Sequence, residues 1–479
     1  MWDSKQLWHS TRRHFLSGSA TGFGLAAASG ILGWQEAAAQ PQNRTESGAL
    51  RGTHFPARAR RVIYLFQSGG PSHVDLFDDK PLLRKLHGTD MPQSILGEQR
   101  VTLMTRDKGR RACGSPYKFQ QHGDSGLSLT ELLPHTATVA DDLCLIRSMQ
   151  TEPINHDPAV TFMQTGRAIS GRPAFGSWMH YGLGNASDNL PAYVVMICGN
   201  ADQPILSRYY HSGFLPSRFQ GVQFQSSGDP VLFLSNPSGM NHENRGRMVS
   251  TINHLNGLQL QATGDPEIEA RIDSFEMAYR MQTSVPELMD LSTEPEDVLK
   301  MYGTDVTTPG SFAYQCLMAR RLAERDVRFV QIFHAGWDHH GGLRDGLMRQ
   351  TRSCDQASAA LIRDLKMRGM LDDTLVVWGG EFGRTAYSQG DDLNGRDHHP
   401  RCFSMWLAGG GIRSGVTIGA TDDFGYNIAE NPIHVRDLHA TLLQLLGIDH
   451  RKFQYRNQGL DDRLTGVEPA RILDEVLAG

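Results

Sequence analysis

Three short segments of this chain gather carboxylates and imidazoles beside glycine: Gly336-Trp337-Asp338-His339-His340, Gly380-Glu381-Phe382-Gly383-Arg384 and Gly395-Arg396-Asp397-His398-His399-Pro400. Oxygen and imidazole donors together suit zinc, manganese or iron. In an extended loop, residues two apart point the same way, so Asp338 and His340 can reach one ion while His339 turns aside or meets a second. Glu381 follows two glycines, which let the backbone come close to a ligand, and it is a further candidate metal ligand. Arg384 can clamp an anionic oxygen through two parallel hydrogen bonds; alternatively it ties Glu381 into an ion pair that fixes the loop. Of the neighbours His398 and His399 only one can face a shared ion. We take it to be His398, with Asp397 orienting a nearby imidazole.

Two more segments carry reactive groups. Ser68-Gly69-Gly70-Pro71-Ser72-His73-Val74-Asp75 can cradle an oxyanion through backbone N–H groups, but it lacks the Gly-Lys-Ser/Thr of a nucleotide loop. Ser72 is either a nucleophile or a helix cap, and Asp75 is a possible metal ligand. Asn155-His156-Asp157-Pro158 opens a helical stretch, whose start favours anions. There His156 either faces an anionic substrate or a metal, or serves as a structural cap.

The elements that must position these groups read as a parallel α/β sheet. Residues 61–66, 143–146, 193–197, 327–333, 375–378 and 403–407 are short apolar runs of the kind that form buried strands. Helical periodicity over 311–325 and about 347–368 brackets the strand at 327–333, and the strand at 375–378 follows. This is a βαβ unit, which implies a parallel sheet covered on both faces. In such sheets ligands bind beyond the carboxyl ends of the strands, where the polar clusters fall. A late amphipathic helix spans 436–446. Between about 202 and 292 Gly, Ser, Asn and Pro accumulate before a polar helix at about 266–282, so this stretch reads as an insertion or cap.

The chain has 479 residues, with 47 Lys and Arg against 52 Asp and Glu. That balance, without a long basic run, argues against a nucleic-acid partner. Thr11-Arg12-Arg13-His14-Phe15-Leu16, a Gly/Ala-rich apolar stretch and Ala37-Ala38-Ala39 read as a twin-arginine signal over residues 1–39, with a linker at 40–58 and the folded domain at 59–479. The expected location is periplasmic or extracellular, with no stable membrane span once the signal is removed. Six cysteines show neither haem nor iron–sulfur spacing. They are either disulfide partners, for which 15 pairings exist, or buried thiols.

In this order, these motifs, together with Thr421-Asp422-Asp423, resemble the exported bacterial family known as domain of unknown function 1501. That family is similar to the alkaline phosphatase and sulfatase superfamily. The resemblance implies an alkaline-phosphatase-like sandwich, a central mostly parallel sheet flanked by helices. It also implies one or two divalent ions (zinc, manganese, calcium or magnesium) and a small-molecule or polysaccharide ester as substrate. His156-Asp157-Pro158-Ala159-Val160, followed by Thr165-Gly166-Arg167, matches the sulfatase nucleophile segment in its proline and its Thr-Gly-Arg. His156 stands at the nucleophile position and Val160 at the arginine position, so a formylglycine cannot form. Ser68 and Gly69 stand where the superfamily has an acidic residue, and Glu381-Phe382 where it has Asp-His. The expectation is an exported metal-dependent hydrolase of phosphate or sulfate esters: Asp338, His340, His398, Glu381 and Asp75 as metal ligands, His156 as nucleophile or general acid/base, and Arg384 and Ser72 assisting. The alternative is a non-catalytic binding or scaffold protein on the same fold.

Overall fold

The run beginning at Arg61 is apolar on both sides of its pleat, as a strand covered on two faces requires. In the computed structural model, which describes residues 48–479 apart from 100, 107, 200–203, 227, 232, 233, 237 and 238, it forms strand β1 (Arg61–Ser68). Eight further strands join it: β2 (Leu143–Gln150), β3 (Tyr193–Cys198), β4 (Val222–Phe224), β5 (Phe329–Ala335), β6 (Thr374–Gly379), β7 (Phe403–Ala408), β8 (Val416–Ile418) and β9 (Ile433–His434). Across the sheet the order is β8-β2-β7-β6-β1-β5-β3-β4, and β9 pairs with β2. Every pairing is parallel except those of β7, which runs against β6 and β2.

This topology decides where the chemistry lies. Ser68 of β1 is in register with Ala335 of β5, and Phe66 with Gly379 of β6, so the loops that follow these three strands leave the sheet side by side. Because β7 is reversed, it is the residues before it that reach this end, and they include His398. The main helices are α1 (His156–Thr165), α2 (Phe175–Leu183), α3 (His242–Thr263), α4 (Pro266–Met289), α5 (Phe312–Glu324), α6 (Leu343–Met367) and α7 (Val435–Leu445). Alternate side chains of β1 feed two cores. Ile63 and Leu65 pack with Leu317 and Leu322 of α5 and Leu361 of α6, whereas Val62, Tyr64 and Phe66 pack with Trp178 of α2 and Leu438 and Leu442 of α7. The fold is therefore α/β, with a mostly parallel sheet flanked by helices on both faces.

Within the expected insertion lies a helical hairpin. α4 covers the expected helix and extends past it, whereas α3 carries almost no buried side chain and so shows no apolar stripe to betray it. Residues 48–58, read as linker, are fastened to the body: the N–H groups of Ala49 and Leu50 donate to Tyr181 and Gly182 at 2.8 and 3.0 Å, and that of Arg58 to Leu445 at 2.8 Å. The signal segment 1–39 lies outside the described residues. No helix among the described residues is long and apolar enough to cross a membrane. All six cysteines are buried free thiols.

Candidate metal centre

The loop after β5 starts at Gly336, whose φ is +107°. It is pinned to β1 by the Trp337 N–H, which donates to the Ser68 carbonyl at 3.2 Å. The two loops touch: a Cβ on Gly69 would stand 2.5 Å from the backbone nitrogen of Asp338, so only glycine fits there. Held this way, Asp338 becomes the hub of the site. Its Oδ1 lies 3.0 Å from His340 Nε2 and 3.5 Å from His398 Nε2, and its Oδ2 lies 3.2 Å from His156 Nε2. One donor atom from each of His156, Asp338, His340 and His398 falls within 4.8 Å of all the others.

The far nitrogen of each ring explains why these atoms converge. His398 Nδ1 lies 2.8 Å from the carbonyl of Ile154, which can only accept, so Nδ1 carries the proton and Nε2 a lone pair. His156 Nδ1 lies 2.6 Å from Glu381 Oε1, and His340 Nδ1 bonds Gln389 Oε1. Metal-ligating histidines characteristically donate their other ring N–H to a carboxylate or carbonyl in this way. The Nε2 atoms of His156 and His398 are buried and have no hydrogen-bond partner among the described residues, although each is close to Asp338. A lone pair facing a carboxylate is repulsive unless a cation or proton lies between them. Leaving one such buried atom unsatisfied costs about 1–3 kcal/mol. The donor set therefore fits a metal ion.

The electrostatics agree. Burial alone would raise the Asp338 pKa, but three imidazoles and the Arg384 guanidinium hold it far below the ordinary carboxylate range. Burial opposes a charge on His156, yet Asp338 and Glu381 outweigh it and its pKa is raised. For His398, burial, the neighbouring Arg384 and His156 push the value down to about 4 against the pull of Asp338. The pull of Asp338 and Glu381 on His156 is thus in the direction that favours positive charge at this point.

The other expected site residues take different places. Glu381 is fully buried and lies outside the group of four. Its two oxygens accept the Gly69 N–H at 3.0 and 3.2 Å while Oε1 holds His156. Arg384 does not present an open fork to an anion: it is 1% exposed and donates to the carbonyls of Gly70, Gly69 and Arg396 and to Asp338 Oδ1. Asp75 also stands apart, gripped by Arg396 at 2.7 and 3.1 Å. The Ser72 hydroxyl donates to Asp75 at 2.6 Å and is buried, so it is not poised as a nucleophile. His339 turns aside and lays its ring over Gly346. His399 points away and bonds the Tyr426 carbonyl at 2.7 Å. Asp397 accepts from the backbone N–H of His398 at 2.8 Å and from Thr105 at 2.6 Å, steadying the strand rather than an imidazole. The residues that sequence reasoning missed are Gln389 and Ile154, and neither is marked by any local pattern.

Residues 59–477 match the family described as "Protein of unknown function (DUF1501)". The chain belongs to this family. No curated protein matches it. Solved structures with loose similarity include the lipoteichoic acid synthase LtaP from Listeria monocytogenes (10% identity, 88% of this chain and 78% of that one, TM-score 0.34). Another is a protein in the alkaline phosphatase superfamily from Vibrio parahaemolyticus (11% identity, 92% and 75%, TM-score 0.34). A third is the phosphonate monoester hydrolase SpPMH from Silicibacter pomeroyi (12% identity, 72% and 71%, TM-score 0.32). At these scores the reading of the site in this DUF1501 member rests on its own geometry.

Proposed function

We propose that this chain is an exported, metal-dependent hydrolase of phosphate or sulfate esters, without formylglycine chemistry. The observation that carries the reading is the arrangement of three imidazoles, each donating Nδ1–H to a protein acceptor and turning Nε2 toward Asp338. His156, Asp338, His340 and His398 would hold one divalent ion. When bound, such an ion polarises an ester oxygen and lowers the pKa of a bound water. Glu381, Ile154 and Gln389 keep each ring in the tautomer that leaves Nε2 free. Arg384 locks the loops after β1 and β5 against Asp338, so the donors are already in place before a substrate arrives. A small-molecule or polysaccharide ester is the substrate class we infer. Export rests on the twin-arginine segment at Thr11–Leu16.

The test is elemental analysis of protein purified without a metal-affinity tag, followed by assay on phosphate and sulfate esters. About one metal per chain, with turnover lost on chelation and regained on reloading, supports the reading. Turnover that survives complete chelation overturns it. The engagement of Ser72 with Asp75 and the spent donors of Arg384 favour a second reading, a binding or scaffold protein with a structural ion. Stoichiometric metal without turnover on any ester would select it.

A further inference from the structure

A cavity of about 590 Å³ borders Asp338 and His339 at the ends of β1 and β5, where Ser68, His334 and Ala335 line it, within the range of small-molecule sites. We propose that it receives a hydroxyl-rich, sugar-like group and that His334 is the residue that reads one of its hydroxyls. As the alcohol portion of an ester, this ligand class rests on the hydrolase reading above.

His334 is fixed as a hydrogen-bond acceptor by a chain of buried groups. The Trp337 indole N–H can only donate, and it lies 2.9 Å from Gln67 Oε1, nearer than the 3.4 Å to His334 Nδ1. That contact sets the Gln67 amide with its oxygen inward, and its nitrogen donates to the Leu65 carbonyl at 3.2 Å. His334 Nδ1, 2.8 Å from the same Gln67 oxygen, must then be the protonated nitrogen. Nε2 is left as an acceptor at the cavity wall, 3.2 Å from Ser353 Oγ. Burial pushes the ring's pKa down to about 3, so it stays neutral and keeps its lone pair. Ser353 has a single proton and already lies 2.8 Å from the Gln350 carbonyl. A ligand hydroxyl can therefore donate to Nε2 while the Ser353 proton stays on Gln350.

The rest of the wall has the same character. Arg349, one helical turn before Ser353 on α6, lines the cavity and makes no hydrogen bond or ion pair among the described residues. Asp305 supplies acceptor oxygens, and Phe312 packs its ring 4.8 Å from that of His334. A guanidinium and a carboxylate without a hydrogen-bond or ion-pair partner among the described residues, beside a fixed imidazole acceptor, match vicinal hydroxyls, which donate and accept at once. An alkyl or aryl group offers a hydrogen-bond partner to none of the three.

Calorimetry on the metal-loaded mature chain tests this with two non-cleavable probes: the phosphonate analogue of glucose 6-phosphate, and a cyclohexylmethyl phosphonate that lacks the hydroxyls. A site built to bond hydroxyls rejects a ligand without them. The glucose analogue should bind at least about tenfold tighter, and Arg349→Ala or His334→Phe should each remove most of that preference while leaving the cyclohexyl probe unchanged. Arg349 is exposed, so its variant stays informative if His334→Phe does not fold. Equal or weaker binding of the glucose analogue, no binding of either probe, or a preference that survives Arg349→Ala overturns the proposal. Binding is read without turnover, so an inactive protein that keeps the preference would sink only the hydrolase reading. Active protein without the preference would sink only this one.

Discussion

Two aspartate–arginine pairs lie near the same end of the sheet, and they differ in how completely their neighbours are satisfied. Asp75 meets Arg396 through two contacts and Ser72 through a third, with both charges wholly buried. Asp338 meets Arg384 and then three imidazoles, two of which keep buried nitrogens with no hydrogen bond among the described residues. The first pair is closed and holds the scaffold together; the second is open toward a cation. Residue type does not separate them, because both are Asp with Arg in glycine-rich surroundings. What separates them is the count of unmet lone pairs.

The sharpest way to break this comparison is to open the closed pair. Removing one partner of a buried ion pair strands the other, so Asp75→Ala should cost about 3–5 kcal/mol in urea unfolding. The protein that still folds should keep its metal. Metal lost along with stability would mean that the two pairs are one system. Next, Asp338→Ala should abolish stoichiometric metal by elemental analysis. It should also remove the stabilisation that bound metal confers on the parent protein, about 2.7 kcal/mol at a free metal concentration of 100 Kd. A variant that still binds one ion per chain would show that the hub is elsewhere. Glu381→Gln leaves His156 a weaker acceptor, and we expect metal affinity to fall by about 10–100-fold in competition with a chelator.

The smallest effect concerns imidazoles of the closed kind. His399 and His439 donate to the carbonyls of Tyr426 and Met163, and burial pushes each pKa down to about 4. Their folded values lie below the ordinary value of about 6.5, so the unfolded chain takes up protons first as pH falls. Stability should drop from about pH 6.5 to about pH 4, by less than about 1 kcal/mol per ring between pH 7 and 6. Thermal melts of chelated protein across that range would check it, and a flat profile would show these rings to be better solvated than their burial implies.

Much of this was legible from local pattern. Strands β1, β5, β6 and β7 and helices α5 and α6 are readable because burial acts residue by residue, and apolar periodicity records it. Asp338, His340 and His398 were singled out by alternation in extended segments, and the structure brings them together. Partner choice left no such trace. Arg396 claims Asp75 from 321 positions away, and Gln389 meets His340 across a gap of 49. Glu381 withdraws from the group of four because the Gly69 N–H and the His156 ring consume its oxygens. His156 joins the group because β2 runs the same way as β1, β5 and β6 and ends at their edge, and His398 joins it because the reversal of β7 brings the residues before that strand there. α3 went unread for the opposite reason: it buries too little to leave a stripe.

The sulfur atoms carry a last consequence. With every thiol sealed and none joined to another, no covalent cross-link ties distant parts of the chain together. A reducing agent therefore has no bond between thiols to break in this fold.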